Sequence, residues 1–349
     1  MNLSILVLLP FLGAALPPLA ERFRASRTLL ALSAAALPAL ALALMVAPAR
    51  RVIAGETVLS SLQWLPSLGL DLAFRLDGLA LMFAMLVLGI GLLIILYARY
   101  YLSADEKAGR FYAYLLLFMG AMLGVVTSDN LLLLVVFWEL TSLSSFLLIG
   151  FWSHNSGARK GARMALTVTG LGGLALLAGV LLIGQVVGSY SLGEALASGD
   201  AIRASGLYPL ILCLVLLGIF TKSAQFPFHF WLPHAMAAPT PVSAYLHSAT
   251  MVKAGVFLLA RFYPMLAGTN LWFDLVTLAG MATLLWGALA ALFQHDLKGL
   301  LAYSTISHLG LITLLFGLNT ELAAVAAVFH IINHATFKAS LFMAAGIID

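Results

Sequence analysis

Apolar stretches of about 20 residues, the length of a membrane-spanning helix, recur from one end of this sequence to the other. A helix of that length crosses roughly 30 Å of hydrocarbon. Only 9% of the residues are charged, against about 25% in an average soluble domain. Runs such as LLLLVVF at 131–137 do not alternate apolar and polar residues, as the strands of a membrane barrel do. The sequence therefore predicts an all-α fold, a polytopic transmembrane helical bundle.

The apolar windows and the residues that interrupt them predict about eleven membrane helices. They cover 3–20, 28–47, 77–98, 111–127, 130–151, 162–188, 207–222, 240–263, 271–293, 299–318 and 321–346. Between the seventh and eighth lies QFPFHFWLPH, residues 225–234. This segment has too many prolines for a regular span and is too apolar for a solvated loop. It predicts a broken helix near 222–240.

The longest connection between predicted helices lies at 50–76 and mixes both signs of charge with Trp64 and Pro66. A connection of this length and composition predicts a small ordered cap on the membrane surface. We divide the chain accordingly. Residues 1–60 hold the N-terminal helices and the start of this outer loop, 61–110 hold the rest of the loop and the third helix, and 111–349 form a helical core.

Lysine and arginine are distributed unequally between the two ends of the predicted helices. With the N-terminus outside, the cytoplasmic connections hold Arg22, Arg24, Arg27, Arg99, Lys107, Arg110, Arg159, Lys160, Arg163 and Lys298. The outer connections hold Arg50, Arg51, Arg75, Arg203 and Arg261. Basic residues accumulate on the cytoplasmic side of membrane proteins, which also accounts for the net charge of +4 without nucleic acid. We expect a multi-pass protein of a bacterial-type inner membrane, with its N-terminus outside.

The sequence contains one cysteine, Cys213, which lies in an apolar run. It can support neither a disulfide framework nor an iron–sulfur centre held by cysteines. No GxxxxGK[ST] phosphate-binding loop occurs either, so ATP is not the expected energy source. We predict no cofactor.

Three lysines and one glutamate fall within the apolar windows: Glu139, Lys222, Lys253 and Lys338. A charge at the centre of a membrane helix costs roughly 2.5–3.5 kcal/mol on insertion scales. Structural alternatives exist, because Glu139 could form a static bridge to a lysine and Lys222 could extend to the membrane surface from a helix end. Ionisable residues at this depth usually mark ion or proton pathways. We therefore expect these side chains to move protons or cations.

Histidines share the last predicted helices with these lysines. The histidines and lysines of the later helices are His247, Lys253, His308, His330, His334 and Lys338. The last three are spaced by four, which places them on one helix face within about 12 Å. Such an arrangement predicts an ordered file of proton-exchanging groups. A metal at His330-x3-His334 is the alternative, but no glutamate follows His330 and no third ligand is evident, so we expect no metal.

Seven motifs, taken in order, identify a family. They are SDNL at 128–131, FWELTS at 137–142 followed by FLLIGF at 146–151, TKSAQFPFH at 221–229, WLPHAM at 231–236, HSATMVKAG at 247–255, LAYSTIS at 301–307 and HATFKA at 334–339. Together they resemble the antiporter-like membrane subunits of respiratory complex I and the Mrp-type cation/proton antiporters. The WELTS and HSATMVK segments are most similar to the family of A subunits of the Mrp antiporters.

The resemblance implies a role for particular residues. Glu139, Lys222 and Lys253 match the core of the family's membrane-embedded proton path, and His308, His330 and His334 match its extension. It also implies a secondary transporter component, not an enzyme, that exchanges Na⁺ for protons, with K⁺ or Li⁺ as alternative cations, beside other membrane subunits and lipid.

Two alternatives to the antiporter stay open. One is a proton-translocating subunit of an NADH:quinone oxidoreductase or a related membrane hydrogenase. The other is a membrane scaffold, which the cost of four buried charges disfavours. Family members continue for several more helices, including a second broken helix with its own lysine. We therefore expect this sequence to be the N-terminal part of a longer protein.

Overall fold

The structure is a computed structural model that describes residues 2–348. Its helices are α1 (Ser4–Gly13), α2 (Leu16–Arg22), α3 (Arg27–Ile53), α4 (Gly78–Tyr101), α5 (Ala108–Thr127), α6 (Leu131–Ile149), α7 (Ser156–Val187), α8 (Leu192–Ala197), α9 (Gly199–Ala204), α10 (Tyr208–Lys222), α11 (Trp231–His234), α12 (Thr240–Ser248), α13 (Met251–Leu266), α14 (Asn270–Leu292), α15 (Leu297–Gly317) and α16 (Glu321–Ile348).

Ten helical segments among the described residues are long and apolar enough to cross a membrane, with α1–α2 and α12–α13 each counted as one segment. The shorter helix α10 is also apolar, which brings the total to the predicted eleven. The predicted polytopic helical bundle is therefore confirmed.

The connection between α3 and α4 folds as a β-hairpin, β1 (Val58–Leu65) and β2 (Leu70–Leu76), joined by a 3₁₀ turn over Pro66–Leu68. Gly69, with φ of 63°, provides the left-handed residue that lets the chain reverse. A β-bridge joins Phe74 to Ser128, so the hairpin lies over the junction of α5 and α6. The segment is ordered, although no strands are predicted in it from the sequence, and its place on the membrane surface stays a prediction.

The helix is broken where the sequence predicts. Helix α10 ends at Lys222, and Ala224 has a φ of 49°, which a continuing helix does not permit. Short 3₁₀ turns at Phe228–Phe230 and Ala235–Ala237 flank α11 before α12 begins at Thr240.

A second interruption is not evident from the sequence. Between α12 and α13, Thr250 has φ −130° and ψ −88°, and its hydroxyl donates to the Tyr245 carbonyl at 2.8 Å. No proline or glycine marks this position, but hydroxyl side chains can replace backbone partners and so compete with the helix. The interrupted segment Thr240–Leu266 is also the most enclosed one, since its most apolar window is 100% buried. The second break therefore lies in the centre of the bundle.

Candidate functional site

Lys222, at the end of α10, is completely buried. Its Nζ donates to the Ser142 hydroxyl at 2.7 Å and to the Trp138 carbonyl at 3.1 Å, and lies 5.1 Å from the centre of the Trp138 ring. These acceptors are neutral groups of α6, and they compensate part of the cost of burying an ammonium. Lys222 does not extend to a membrane surface.

Glu139 follows Trp138 on α6 and is half-buried. Its Oε1 is buried and has no hydrogen-bond partner among residues 2–348, where no salt bridge joins it to Lys222. The static Glu–Lys bridge is therefore not the arrangement found. The Lys222 ammonium donates to neutral acceptors, and the neighbouring Glu139 carboxyl has one oxygen without a hydrogen-bond partner.

Glycines of α7 permit this arrangement. A Cβ added at Gly173 would overlap the Glu139 carboxyl oxygen and lie 3.3 Å from Trp138 Cδ1. One added at Gly172 would overlap the Thr221 hydroxyl, next to Lys222. The close approach of α7 to both α6 and α10 therefore requires residues without a side chain.

Gly172→Ala is expected to destabilise the protein by about 1–3 kcal/mol, because the added methyl group would lie 2.8 Å from the Thr221 Cβ, which side-chain rotation cannot move. The matched control is Gly170→Ala on the same helix, where an added Cβ meets no atom within 4 Å. Alanine favours a helix over glycine by up to about 1 kcal/mol, so the control should be neutral or stabilising. Chemical unfolding in mild detergent, followed by tryptophan fluorescence, measures both. Equal unfolding free energies for the two variants would contradict this prediction.

Lys222, Ser142 and Glu139 form one polar cluster, the Lys222 region. A second cluster surrounds Lys253, which is completely buried on α13. Its Nζ donates to the Ser248 carbonyl and lies 2.8 Å from His334 Nδ1. His308 Nδ1 lies 3.0 Å from His330 Nε2, and the His308 and His334 rings are 5.1 Å apart. The structure thus brings together one lysine and three histidines from α13, α15 and α16.

Lys338 and His247 lie next to this cluster. Lys338 is one turn beyond His334, is 1% exposed and donates to the Leu301 carbonyl at 3.4 Å. His247 is completely buried, with its ring 6.3 Å from that of Trp231. The Trp231 Nε1 in turn donates to the Thr221 carbonyl at 2.9 Å. His247 therefore lies between the Lys222 region and the Lys253 cluster.

Several buried polar atoms near these residues have no hydrogen-bond partner within residues 2–348. They are both ring nitrogens of His247, Nε2 of His334, Oγ of Ser243 and Oε1 of Gln225. Buried polar groups are normally satisfied, and a polar interior is where ordered water is held. Gln225 is not among the site residues predicted from the sequence. Its position beside Pro227 in the broken helix is the signal that could have found it.

Over the described range 2–348, no three His, Cys, Asp or Glu side chains are grouped so that they could hold a metal ion. The imidazoles of the histidine cluster can donate and accept hydrogen bonds and can exchange protons.

Fold and site together define a polytopic helical membrane protein whose interior holds lysines, histidines and a glutamate. The profile described as "NADH:quinone oxidoreductase/Mrp antiporter, TM" matches residues 128–349, and "NADH-Ubiquinone oxidoreductase (complex I), chain 5 N-terminus" matches residues 64–112. The chain belongs to the NADH:quinone oxidoreductase/Mrp antiporter family of membrane proteins, as its motifs predict.

Similar proteins carry names from this family. A probable K⁺/H⁺ antiporter A/B subunit of Rhizobium meliloti strain 1021 is 67% identical over 298 residues, which cover 85% of this chain and 30% of that protein. The Na⁺/H⁺ antiporter A subunit of Alkalihalophilus pseudofirmus is 53% identical over 310 residues, covering 84% of this chain and 38% of that protein. The chain thus spans well under half the length of these relatives.

Two solved structures contain chains with a similar fold. The Mrp complex from Dietzia sp. DQ12-45-1b contains a chain that is 40% identical with a TM-score of 0.90, and the match covers 99% of this chain and 37% of that one. The archaeal membrane-bound sulfane sulfur reductase shares the fold, with a TM-score of 0.84 at 24% identity, over 100% of this chain and 57% of that one.

Proposed function

We propose that this chain is part of the A subunit of an Mrp-type antiporter and carries protons through the membrane in exchange for Na⁺ or K⁺. The names of its similar proteins support this proposal, since they are Na⁺/H⁺ and K⁺/H⁺ antiporter subunits. It would act beside other membrane subunits in a cell membrane. The distribution of Lys and Arg favours an outer N-terminus.

One observation carries the proposal: the buried Lys222 ammonium binds neutral acceptors of α6 while the adjacent Glu139 keeps an unpaired oxygen. The ammonium can therefore occupy two alternative positions, one against Ser142 and Trp138 and one against the Glu139 carboxyl. An ammonium close to a carboxyl stabilises its ionised form. Movement of Lys222 toward Glu139 would release a proton from the carboxyl, and movement back to Ser142 would allow it to be protonated again.

The remaining titratable residues give such a proton a route. From Lys222 it would pass the buried His247 and reach Lys253, which is in contact with His334. His308 and His330 continue the route toward the half-buried face of α15 and α16, and Lys338 lies beside it. The unpaired polar atoms around His247 support water in the gap between the two clusters.

The test uses vesicles that contain the complete complex with this chain and an imposed pH gradient, with Na⁺ and K⁺ flux as the readout. Glu139→Gln should reduce cation flux at least about tenfold, because the amide cannot exchange a proton. The control is Glu194→Gln, which changes an exposed glutamate of α8. Undiminished flux in Glu139→Gln would remove the proposed role of this carboxyl. A complex without cation flux that oxidises NADH with quinone would favour the redox-driven alternative.

A further inference from the structure

A cavity of about 390 Å³ opens between α5, α6 and α7. Helix α5 begins and α6 ends beside it, whereas the opposite ends of both helices meet the β-hairpin through the bridge between Phe74 and Ser128. The cavity therefore lies at the membrane surface farther from the hairpin. None of the residues assigned to the proton route lines it.

Three arginines form the rim of this cavity: Arg110 near the start of α5, and Arg159 and Arg163 in the first turns of α7. All three are exposed, and none makes a salt bridge within residues 2–348. Three like charges around one opening repel each other, and a bound anion removes that repulsion. The rim therefore favours an anionic group.

Contacts with neighbouring groups partly fix the orientation of the three arginine side chains. Arg159 Nη1 donates to the Ser153 carbonyl at 2.6 Å, and Arg163 Nε donates to the Arg159 carbonyl at 3.4 Å. The Arg110 guanidinium lies over the Phe151 ring, 5.1 Å from its centre. Each of these contacts uses one part of the guanidinium, so further N–H groups remain for a ligand. Guanidinium groups suit phosphate because they donate paired hydrogen bonds.

The walls below the rim are of a different kind. Tyr114, Phe146 and Leu147 line the cavity from α5 and α6 and make its walls apolar. A soluble anion would gain nothing from such walls, whereas a phospholipid places its phosphate at the helix ends and its acyl chains along the helices. The positive charge of the rim favours a phospholipid with a net negative headgroup over one without net charge.

We propose that this cavity binds an anionic phospholipid, with the phosphate between Arg110, Arg159 and Arg163 and an acyl chain against Tyr114, Phe146 and Leu147. The basic connections of the chain lie at this same end, which the Lys and Arg distribution assigns to the cytoplasm. The lipid would come from that leaflet. Its binding is independent of the transport function, and it would connect α6, which carries Glu139, to α5 and α7.

The experiment uses the purified complete complex and a photoactivatable phosphatidylglycerol with the reactive group in its acyl chain. Peptide mapping should locate the adduct on α5 and α6 beside the cavity. Unlabelled phosphatidylglycerol should compete, whereas phosphatidylcholine with the same chains and inorganic phosphate should not. Arg159→Gln with Arg163→Gln should weaken binding at least about 30-fold, because each variant side chain loses the charge-assisted hydrogen bonds of its guanidinium to the phosphate. Arg22→Gln with Lys160→Gln, two exposed basic residues outside the cavity, should change it less than twofold.

A second variant tests the apolar wall of the cavity without changing its charge. It keeps the proposal testable if the arginine variant fails to assemble. Leu147→Trp should fill the acyl-chain space and reduce adduct formation at least fivefold. Equal labelling in wild type and both variants would overturn the proposal. So would competition by phosphatidylcholine, displacement by inorganic phosphate as effective as by phosphatidylglycerol, or protection of the cavity by a neighbouring protein of the complex.

Discussion

Replacing Lys222 with methionine is expected to lower pH-driven cation flux by about 100-fold or more in vesicles that contain the complete complex. Methionine has a similar length and fills the buried space but has no exchangeable proton. The wild-type ammonium donates to Ser142 and Trp138 beside the unpaired Glu139 oxygen, so its loss removes the proposed switch itself. Flux of Na⁺ and K⁺ under an imposed pH gradient measures the effect.

The matched control is Lys160→Met, which removes an exposed lysine of α7. It should leave the flux within about twofold of wild type, because a single exposed charge contributes little. Both variants must be recovered in the assembled complex in equal amounts. If Lys222→Met then transports at the wild-type rate, the proton does not pass through this lysine.

The second large effect concerns stability. Arg261 on α13 donates to both carboxylate oxygens of Asp77, one at 2.9 Å, and the two side chains are 6% and 22% exposed. Removing one partner of a buried ion pair costs about 3–5 kcal/mol. We therefore expect Arg261→Met to lower the free energy of unfolding by that amount in detergent denaturation.

The exposed pair Arg51–Glu56, whose side chains are 59% and 53% exposed, supplies the comparison. Arg51→Met should cost less than about 1 kcal/mol, because solvent screens the pair. The prediction is contradicted if Arg261→Met lowers the free energy of unfolding no more than Arg51→Met does. Asp77 would then be sufficiently hydrated without its partner.

The Asp77 pair also makes stability depend on pH. Burial raises the pKa of Asp77, but the hydrogen bond and charge of Arg261 outweigh burial, so the pKa lies below its ordinary value of 3.8. A carboxyl with a lowered pKa stabilises the fold fully above its unfolded pKa, and the contribution is lost as pH falls through the folded value. Wild type should therefore lose part of its stability below about pH 4, and Arg261→Met should lose less over that range.

The sequence is sufficient to predict the membrane helices because hydrophobic length is a local property. The break after Lys222 is predictable for the same reason, since Pro227 and its neighbours mark it directly. The break at Thr250 is not, because its stabilising contacts depend on hydroxyl groups that also occur in unbroken helices. The first strand of the hairpin, VLSSLQWL, lacks the alternation that signals a half-buried strand. The second, LDLAFRL, has apolar residues at every second position, so its sequence does contain a strand signal, which the prediction of a cap left unused.

The candidate site is partly predictable. Burial cost points to Glu139 and the lysines, and the spacing of four places His330, His334 and Lys338 on one face. Which groups meet across helices cannot be deduced from spacing. The contact of Lys222 with Ser142, instead of Glu139, depends on how closely α7 approaches at Gly172 and Gly173, and that is a property of the packed bundle.

The interruption at Thr250 has a consequence for Lys253. In an uninterrupted helix the Ser248 carbonyl would accept the N–H group four residues further on. Here the Lys253 ammonium donates to that carbonyl and also contacts His334. One of its two partners is therefore a peptide dipole whose charge is the same at every pH, and the other is an imidazole that titrates. Because the carbonyl does not titrate, a pH-dependent displacement of this lysine requires a change of protonation at Lys253 itself or at His334.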